Sequence, residues 1–390
     1  MANKKNKLKK IGIVTIYGNN NYGNKLQNYA IEKIYINHGF TVKTIRYKNY
    51  YTNNFVKNII ISMIEIRNYK KNRVFYNFSN QYLNLSKKKF DFNKNGIWDY
   101  LNTFDFVSVG SDQVWNDAYL SQKMLDYFLL NGVEAEKRIA SAPSIGGDRI
   151  SNKDKFKEEL RKFKKLSCRE KENIEELKQL ANKEVVHLMD PTLAISKKEW
   201  ENLLLNSKLK FKNKYIFEFI LGSSDTNFCK NELKNIDIIN VLNKNDFHYF
   251  SGPIEFIDLI KNAELIITDS FHCTVFSIIF RKNFVVLNRD THNMGNRIKN
   301  LLEYFSIPCN DKNIYIPSKI VDYDKKIRLI RESWSKYIET MIIICIKQGE
   351  KHEENKSIKN RSNAIICKYD STKYYNYCLY TGNVKITGSK

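Results

Sequence analysis

Three short stretches of this sequence gather side chains able to move protons and hold anions. "DSFHCT" sets Asp269, Ser270 and His272 within four residues, directly after the apolar run "AELIIT". An imidazole there can act as acid or base near neutral pH, and a helix starting at that point favours a negative ligand. "GSDQVWN" follows "FDFVSV" and offers Gly110, Ser111, Asp112, Gln113 and Asn116, a mixture of close backbone approach, donors and acceptors. "CRE" follows "KKLS" and supplies Arg169, whose planar fork matches a carboxylate or phosphate. Together these parts suit a reaction that needs an anion clamp, a histidine acid or base, and backbone donors. Each also has an ordinary structural reading. A lone histidine near a helix start is commonly a cap, a lone arginine a surface partner, Trp115 and Trp200 core or hinge aromatics, and His187 a packing residue inside an apolar strand. Asp190-Pro191 reads as a turn able to line an interdomain cleft.

A fourth stretch, "GNNNYGNK", resembles a phosphate loop and fails as one. Gly18 and Gly23 have the Walker spacing, but Asn24 intervenes, Lys25 comes one place late, and Leu26 stands where a metal-binding hydroxyl belongs. Nor is it G-x-G-x-x-G, so the dinucleotide fingerprint is missing. What remains is a polar turn from Gly18 to Asn24 between a strand and a helix, placed to meet an anion or a sugar. No metal-ligand spacing, no G-x-S-x-G elbow and no D-x-D of the sort that holds a nucleotide-sugar metal stands out, so the expected chemistry needs no metal.

The elements that must position these residues are legible from periodicity. "KKIGIVTIYG" reads as a buried strand, "KLQNYAIEKIYINHGF" as a helix ended by Gly39, and "FTVKTIRY" as a second strand. That is a β-α-β opening, the mark of a parallel sheet. "FDFVSVG" and "RIASAPSIG" extend it, the Tyr51–Asn80 region reads as helical, and a long helix is expected over Lys153–Lys165. "VVHLMDPTLAI" and "SKKEWENLLL" give a strand and a crossing helix. "KYIFEFILG", "IDIINVL", "AELIITDS" and "NFVVLN" then form a second series of strands. The expected fold is α/β: two Rossmann-like domains, 1–195 and 196–347, followed by a loose polar extension, 348–390. In open parallel sheets ligands collect at the carboxyl ends of strands, where the chemical stretches fall.

The chain's 390 residues and 42% apolar content allow two cores. Its formal charge of +23 points to acidic partners, yet the lysines are scattered, so no specific nucleic-acid partner is expected. Seven cysteines without a C-x-x-C pair indicate neither a zinc site nor a disulfide framework, which fits a reducing cytoplasm. The basic start lacks a signal-type apolar core and cleavage site, and no apolar run approaches bilayer length. Peripheral contact at the inner membrane face, and a homo-oligomer, remain compatible with this.

Six stretches, in order, carry a resemblance: "GIVTIYGNNNYGNKLQNYAI", "FDFVSVGSDQVWN", "SAPSIG", "LSCREKE", "MDPTLAI" and "GPIEFIDLIKNAELIITDSFHCTVFSIIFRKNFVVLN". Over roughly Lys10 to Phe305 the chain resembles the polysaccharide pyruvyl transferase family, in a branch marked by "DSFH". The resemblance implies a GT-B-like pair of Rossmann-like domains with the active site between them. It implies transfer of the pyruvyl group of phosphoenolpyruvate, a substrate and not a cofactor, onto a sugar or lipid-linked glycan of a cell-surface polysaccharide. It implies a role in catalysis for His272, with Asp269 tuning it, and in donor binding for Arg169, helped by Ser270. Many members carry an arginine where Ser270 stands, and Arg297, His292 or Lys25 would replace that cation. Asn21, Tyr22, Gly23, Asp112 and Gln113 would face the acceptor. The same cleft would also suit a GT-B-like glycosyltransferase using a nucleotide sugar, or a non-catalytic glycan-binding protein of polysaccharide assembly.

Overall fold

In a computed structural model the described residues are 9–17, 20–48, 68–91, 96–147, 149–222, 236–287, 294–308, 314–315, 317, 321–341, 376–380 and 383–387, with backbone alone at 294–296, 314, 376–380 and 383–387. Gly18, Asn19, His292 and most of 348–390 lie outside them. The chain divides into two compact units, Met1–Ser335 and Lys336–Lys390, and both large sheets belong to the first.

The first sheet is parallel throughout. Its strands are β1 (Lys10–Val14), β2 (Thr41–Tyr47), β3 (Leu85–Phe90), β4 (Phe106–Val109) and β5 (Arg138–Ala140), in the order β3-β2-β1-β4-β5. Between them run α1 (Tyr22–Asn37), α2 (Tyr69–Tyr82), α3 (Ile97–Leu101) and α4 (Gln122–Phe128). The chain continues through α5 (Lys153–Leu160), β6 (Leu166–Cys168), α6 (Ile174–Ala181) and β7 (Val185–His187). β6 pairs with β7 in parallel, and a bridge from Ile139 to Lys165 carries the sheet onward to this pair. The central strands are buried on both faces, as helices above and below require, and Trp115, Phe128, Phe156 and Phe163 join the same core.

α7 (Lys197–Leu204) begins with a reciprocal capping box between Ser196 and Glu199 and leads to the second sheet. Here β8 (Tyr215–Phe219), β9 (Asp237–Ile239), β10 (Leu265–Thr268) and β11 (Phe284–Val286) are parallel, and a two-residue β12 (Ile314–Tyr315) closes one edge antiparallel. The order is β12-β11-β10-β8-β9. Helices α8 (Pro253–Asn262), α9 (Phe271–Ile279) and α10 (Met294–Phe305) belong to this half. The fold is thus α/β, with two Rossmann-like parallel sheets.

Three elements differ from the sequence reading. α1 starts at Tyr22, so the expected turn through Asn24 is already helix: Asn21 caps it by accepting the Asn24 N–H at 3.1 Å. α5 ends at Leu160, short of Lys165, because Phe163 and Leu166 are needed in the core and Leu166 begins β6. In the second unit, β13 (Asn376–Tyr380) and β14 (Asn383–Thr387) form an antiparallel hairpin within the expected loose extension. Of the Tyr51–Asn80 region, 51–67 lies outside the described residues and the remainder joins α2.

Candidate active site

The two sheets present their carboxyl ends to one cleft. At the end of β4 the chain must turn sharply against the β5 loop. Gly110 has φ +114, and a Cβ there would overlap the Ser141 carbonyl, so the position admits only glycine. The turn carries Asp112, whose Oδ1 accepts the Gln113 N–H at 2.8 Å. At the end of β6, the Arg169 N–H donates to the Pro143 carbonyl at 3.1 Å, which fixes where its side chain departs.

Arg169 is buried. Its Nη1 donates to Asp190 Oδ2 at 2.8 Å, and its Nε lies 3.5 Å from Glu170 Oε1. Burial pushes its pKa down, but Glu170, Asp190 and Asp112 outweigh this and hold the guanidinium above its ordinary value. Asp190 follows β7 and also accepts from the Thr192 N–H (3.0 Å) and hydroxyl (2.6 Å). Its Oδ2 stands 3.4 Å from His272 Nε2, within ion-pair range but off the line of a good hydrogen bond. Burial pushes the Asp190 carboxyl up, yet His272, Arg169 and Thr192 together bring it well below the usual carboxylate range.

His272 sits in the first turn of α9, capped by Ser270. The other ring nitrogen, Nδ1, presses on α1: a Cβ on Gly23 would overlap it. Gly23 is therefore the place where the start of one helix meets the imidazole carried by another. First-turn N–H groups of both helices have no partner within their own helix, and both helix starts line a common cavity.

That cavity measures about 410 Å³ and is lined by Asn21, Tyr22, Gly23, Asp112, Gln113, Ser270, His272 and Arg297 among others. A second cavity, of about 380 Å³, is lined by Arg169, Glu170, His187, Asp190, Phe271 and Arg297 among others. Phe271 and Arg297 belong to both walls. The Phe271 ring is near two guanidinium groups, 5.1 Å from Arg169 Cζ and 5.7 Å from Arg297 Cζ. Arg297 comes from α10, and both its Nη atoms (2.9 and 2.8 Å) meet the Gln113 side-chain oxygen once that amide is set to satisfy its neighbours. Burial first, then the nearby charge of Arg169, brings Arg297 down to about 10.

The sequence-derived candidates thus separate by place. Asp269 lines neither of these two cavities: its carboxylate accepts the Leu221 and Gly222 N–H groups, both at 2.8 Å, and shapes the loop after β8. Tyr22 edges the first cavity, but its ring is stacked on Phe256 at 4.4 Å and its hydroxyl donates to the Ser251 carbonyl at 2.8 Å, so it chiefly ties the halves together. Lys25 lines neither cavity. It lies over the Tyr17 ring at 4.2 Å, and burial pushes it down to about 7. Glu170 and Phe271 enter as residues that sequence reasoning did not choose, while Asp190, read there only as a turn able to line the cleft, does line the second cavity. Asp190 had a signal, since it too follows a strand; Phe271, inside "FHCTVFSIIF", reads as core. His187 is exposed to the second cavity, with Nε2 3.1 Å from the Arg169 carbonyl, and burial lowers its pKa.

Two facing α/β halves thus bring an imidazole and two guanidiniums to strand and helix ends around one cleft. Residues 21–291 match the family model described as polysaccharide pyruvyl transferase, and the chain belongs to that family. Arg297 lies beyond the matched span. A search of curated proteins gave no match. Among solved structures, the chain is similar to a UDP-N-acetylglucosamine 2-epimerase from Rickettsia bellii (11% identity, 88% of this chain and 98% of that one, TM-score 0.45). It is also similar to the UDP-GlcNAc 2-epimerase of Methanocaldococcus jannaschii (14%, 83% and 98%, 0.41) and to Arabidopsis thaliana UGT89C1 complexed with quercetin (8%, 87% and 93%, 0.39). Among the described residues no cluster of three His, Cys, Asp or Glu could hold a metal, and no helix is long and apolar enough to cross a membrane.

Proposed function

We propose that this chain transfers the pyruvyl group of phosphoenolpyruvate onto a sugar of a cell-surface polysaccharide or its lipid-linked precursor, forming a ketal. The observation that carries the reading is the Arg169–Asp190–His272 chain, which ends in an imidazole at the meeting point of two helix starts. The family supports a transferase.

Two sugar hydroxyls form C–O bonds to the donor's central carbon, whose bond to the phosphate oxygen breaks. One hydroxyl proton ends on the donor's methylene, making a methyl group, and the other leaves with phosphate or to solvent. In this reading His272 takes a proton from a hydroxyl in the first cavity and returns it to the methylene. Asp190 orients the ring and stabilises it when charged. Arg169 and Arg297 hold the donor's carboxylate and phosphate, Arg297 supplying the cation that Ser270 does not. Asn21, Gly23 and Asp112 face the acceptor. The reaction needs no metal.

Phosphate release from phosphoenolpyruvate, measured with and without a glycan acceptor and after exhaustive chelation, tests this. The expected result is acceptor-dependent release unaffected by EDTA. A rise in thermal stability with nucleotide sugars and none with phosphoenolpyruvate would overturn it.

A further inference from the structure

Among the described residues five aromatic side chains are exposed: Tyr69, Tyr76, Tyr119, Phe247 and Phe250. Four of them lie on two elements that touch, α2 and the 3₁₀ turn Phe247–Phe250. With three residues per turn, positions i and i+3 eclipse, so Phe247 and Phe250 point the same way. Phe247 keeps 89% of its surface in water. Tyr249 points inward: its hydroxyl donates to Asn68 Oδ1 at 3.2 Å and its ring receives Lys71 Nζ at 4.1 Å. Asn68 is the residue before α2, so this contact sets the phenylalanine pair beside Tyr69, which is 61% exposed. Along α2, Tyr69, Arg73 and Tyr76 are spaced i, i+4, i+7 and share the outward face.

Charge accompanies the aromatics. From Tyr69 to Phe90 the sequence holds no acidic residue, and Lys70, Arg73, Lys87, Lys88 and Lys89 are exposed, whereas Lys71 is buried against Tyr249. Lys244, just before the 3₁₀ turn, is exposed. The one nearby acid on that loop, Asp246, is committed to the His248 N–H (2.7 Å), the His248 ring (3.0 Å) and the Asn240 N–H (2.6 Å). The loop also reaches the proposed acceptor site, because Leu242 lines the first cavity.

From this juxtaposition we infer that α2 and the Phe247–Phe250 turn form a docking face for a bilayer surface rich in anionic headgroups. Phenylalanines standing clear of the fold enter the headgroup–acyl boundary, tyrosines sit at its level, and the exposed lysines and Arg73 meet the negative surface potential. Docked in this way, the protein holds the first cavity close to the membrane, where a lipid-linked glycan would present its sugars. The face does not depend on the pyruvyl reaction, and either conclusion can fail alone.

Co-flotation of the full chain with vesicles tests it, comparing phosphatidylcholine alone with phosphatidylcholine plus phosphatidylglycerol, at low salt and at about 0.5 M salt, where the Debye length is a few ångströms. The expected result is flotation with the anionic vesicles only, weakened by salt. The double substitution Phe247→Ser, Phe250→Ser should lower it tenfold or more without changing turnover on a soluble acceptor. Leu205→Ser, an equally exposed apolar position on α7's far end, should leave flotation unchanged. Two outcomes overturn the inference: no flotation of the unaltered protein, or flotation that Lys70→Glu, Arg73→Glu abolishes while the phenylalanine pair proves irrelevant. The latter would describe a general polyanion surface, equally able to bind nucleic acid.

Discussion

The ends of β7 and β10 carry the same sequence sign, an aspartate leaving a strand, and use it differently. Asp269 meets two backbone N–H groups, which cannot change charge, so it is a fixed part of the loop after β8. Asp190 shares Oδ2 between Arg169 and His272, one a permanent cation and the other titratable. Equal burial therefore conceals unequal roles. What separates them is whether the partner's charge can alter during a reaction.

The largest expected effect falls on the imidazole itself. His272→Ala should lower turnover by about 10²–10⁴ while sparing donor affinity, if the ring moves a proton in the transition state; a change confined to KM would remove it from that role. Asp190→Asn comes next. It removes the carboxylate charge at Arg169 Nη1 while Glu170 still faces the buried guanidinium, so stability should fall by about 3 kcal/mol, the low end for breaking a buried pair, and kcat per folded molecule should fall as well. Asp269→Asn loses one of two amide contacts, about 1.5–3 kcal/mol seen as a lower melting temperature, with kcat per folded molecule unchanged. Equal kcat losses in the two asparagine variants would dissolve the distinction. Arg169→Lys keeps the charge and loses the fork, so donor affinity should weaken by about 1.5–3 kcal/mol, measured by titration calorimetry.

A further effect is a pH dependence of stability, set apart from the site. Lys25 is held near 7 by burial, whereas in the unfolded chain it ionises near its ordinary value of about 10.4. Between these values the unfolded chain binds a proton that the folded one does not, so this group makes stability rise with pH. Lys25→Met should raise the melting temperature at pH 7 and below, and that gain should vanish as pH approaches 10.

Much of this was readable in advance, for physical reasons. Parallel strands buried on both faces leave continuous apolar runs, and the rule that ligands gather at their carboxyl ends picks out Asp112, Gln113, Arg169 and His272. The pairing of Asp190 with His272 was not readable, because it depends on how two separately folded sheets face each other. Phe271 was hidden by its setting among helix-core residues. The start of α1 was hidden too, since "NNNYGN" has turn composition; Tyr22 is helical because its ring is buried in the other half. The end of α5 shows the opposite override, core demand at Phe163 and Leu166 cutting short a run that local propensity would extend.

Tyr22 has one more consequence. Its ring is stacked on Phe256 and touches Phe75 and Phe219, aromatics drawn from both halves, and its hydroxyl is bonded to Ser251. Neither sheet can unravel without baring this cluster to water, so their stabilities are not separate quantities. Scanning calorimetry of the Met1–Ser335 unit within the full chain should record a single endotherm whose van't Hoff and calorimetric enthalpies agree. Tyr22→Ala should split it into two.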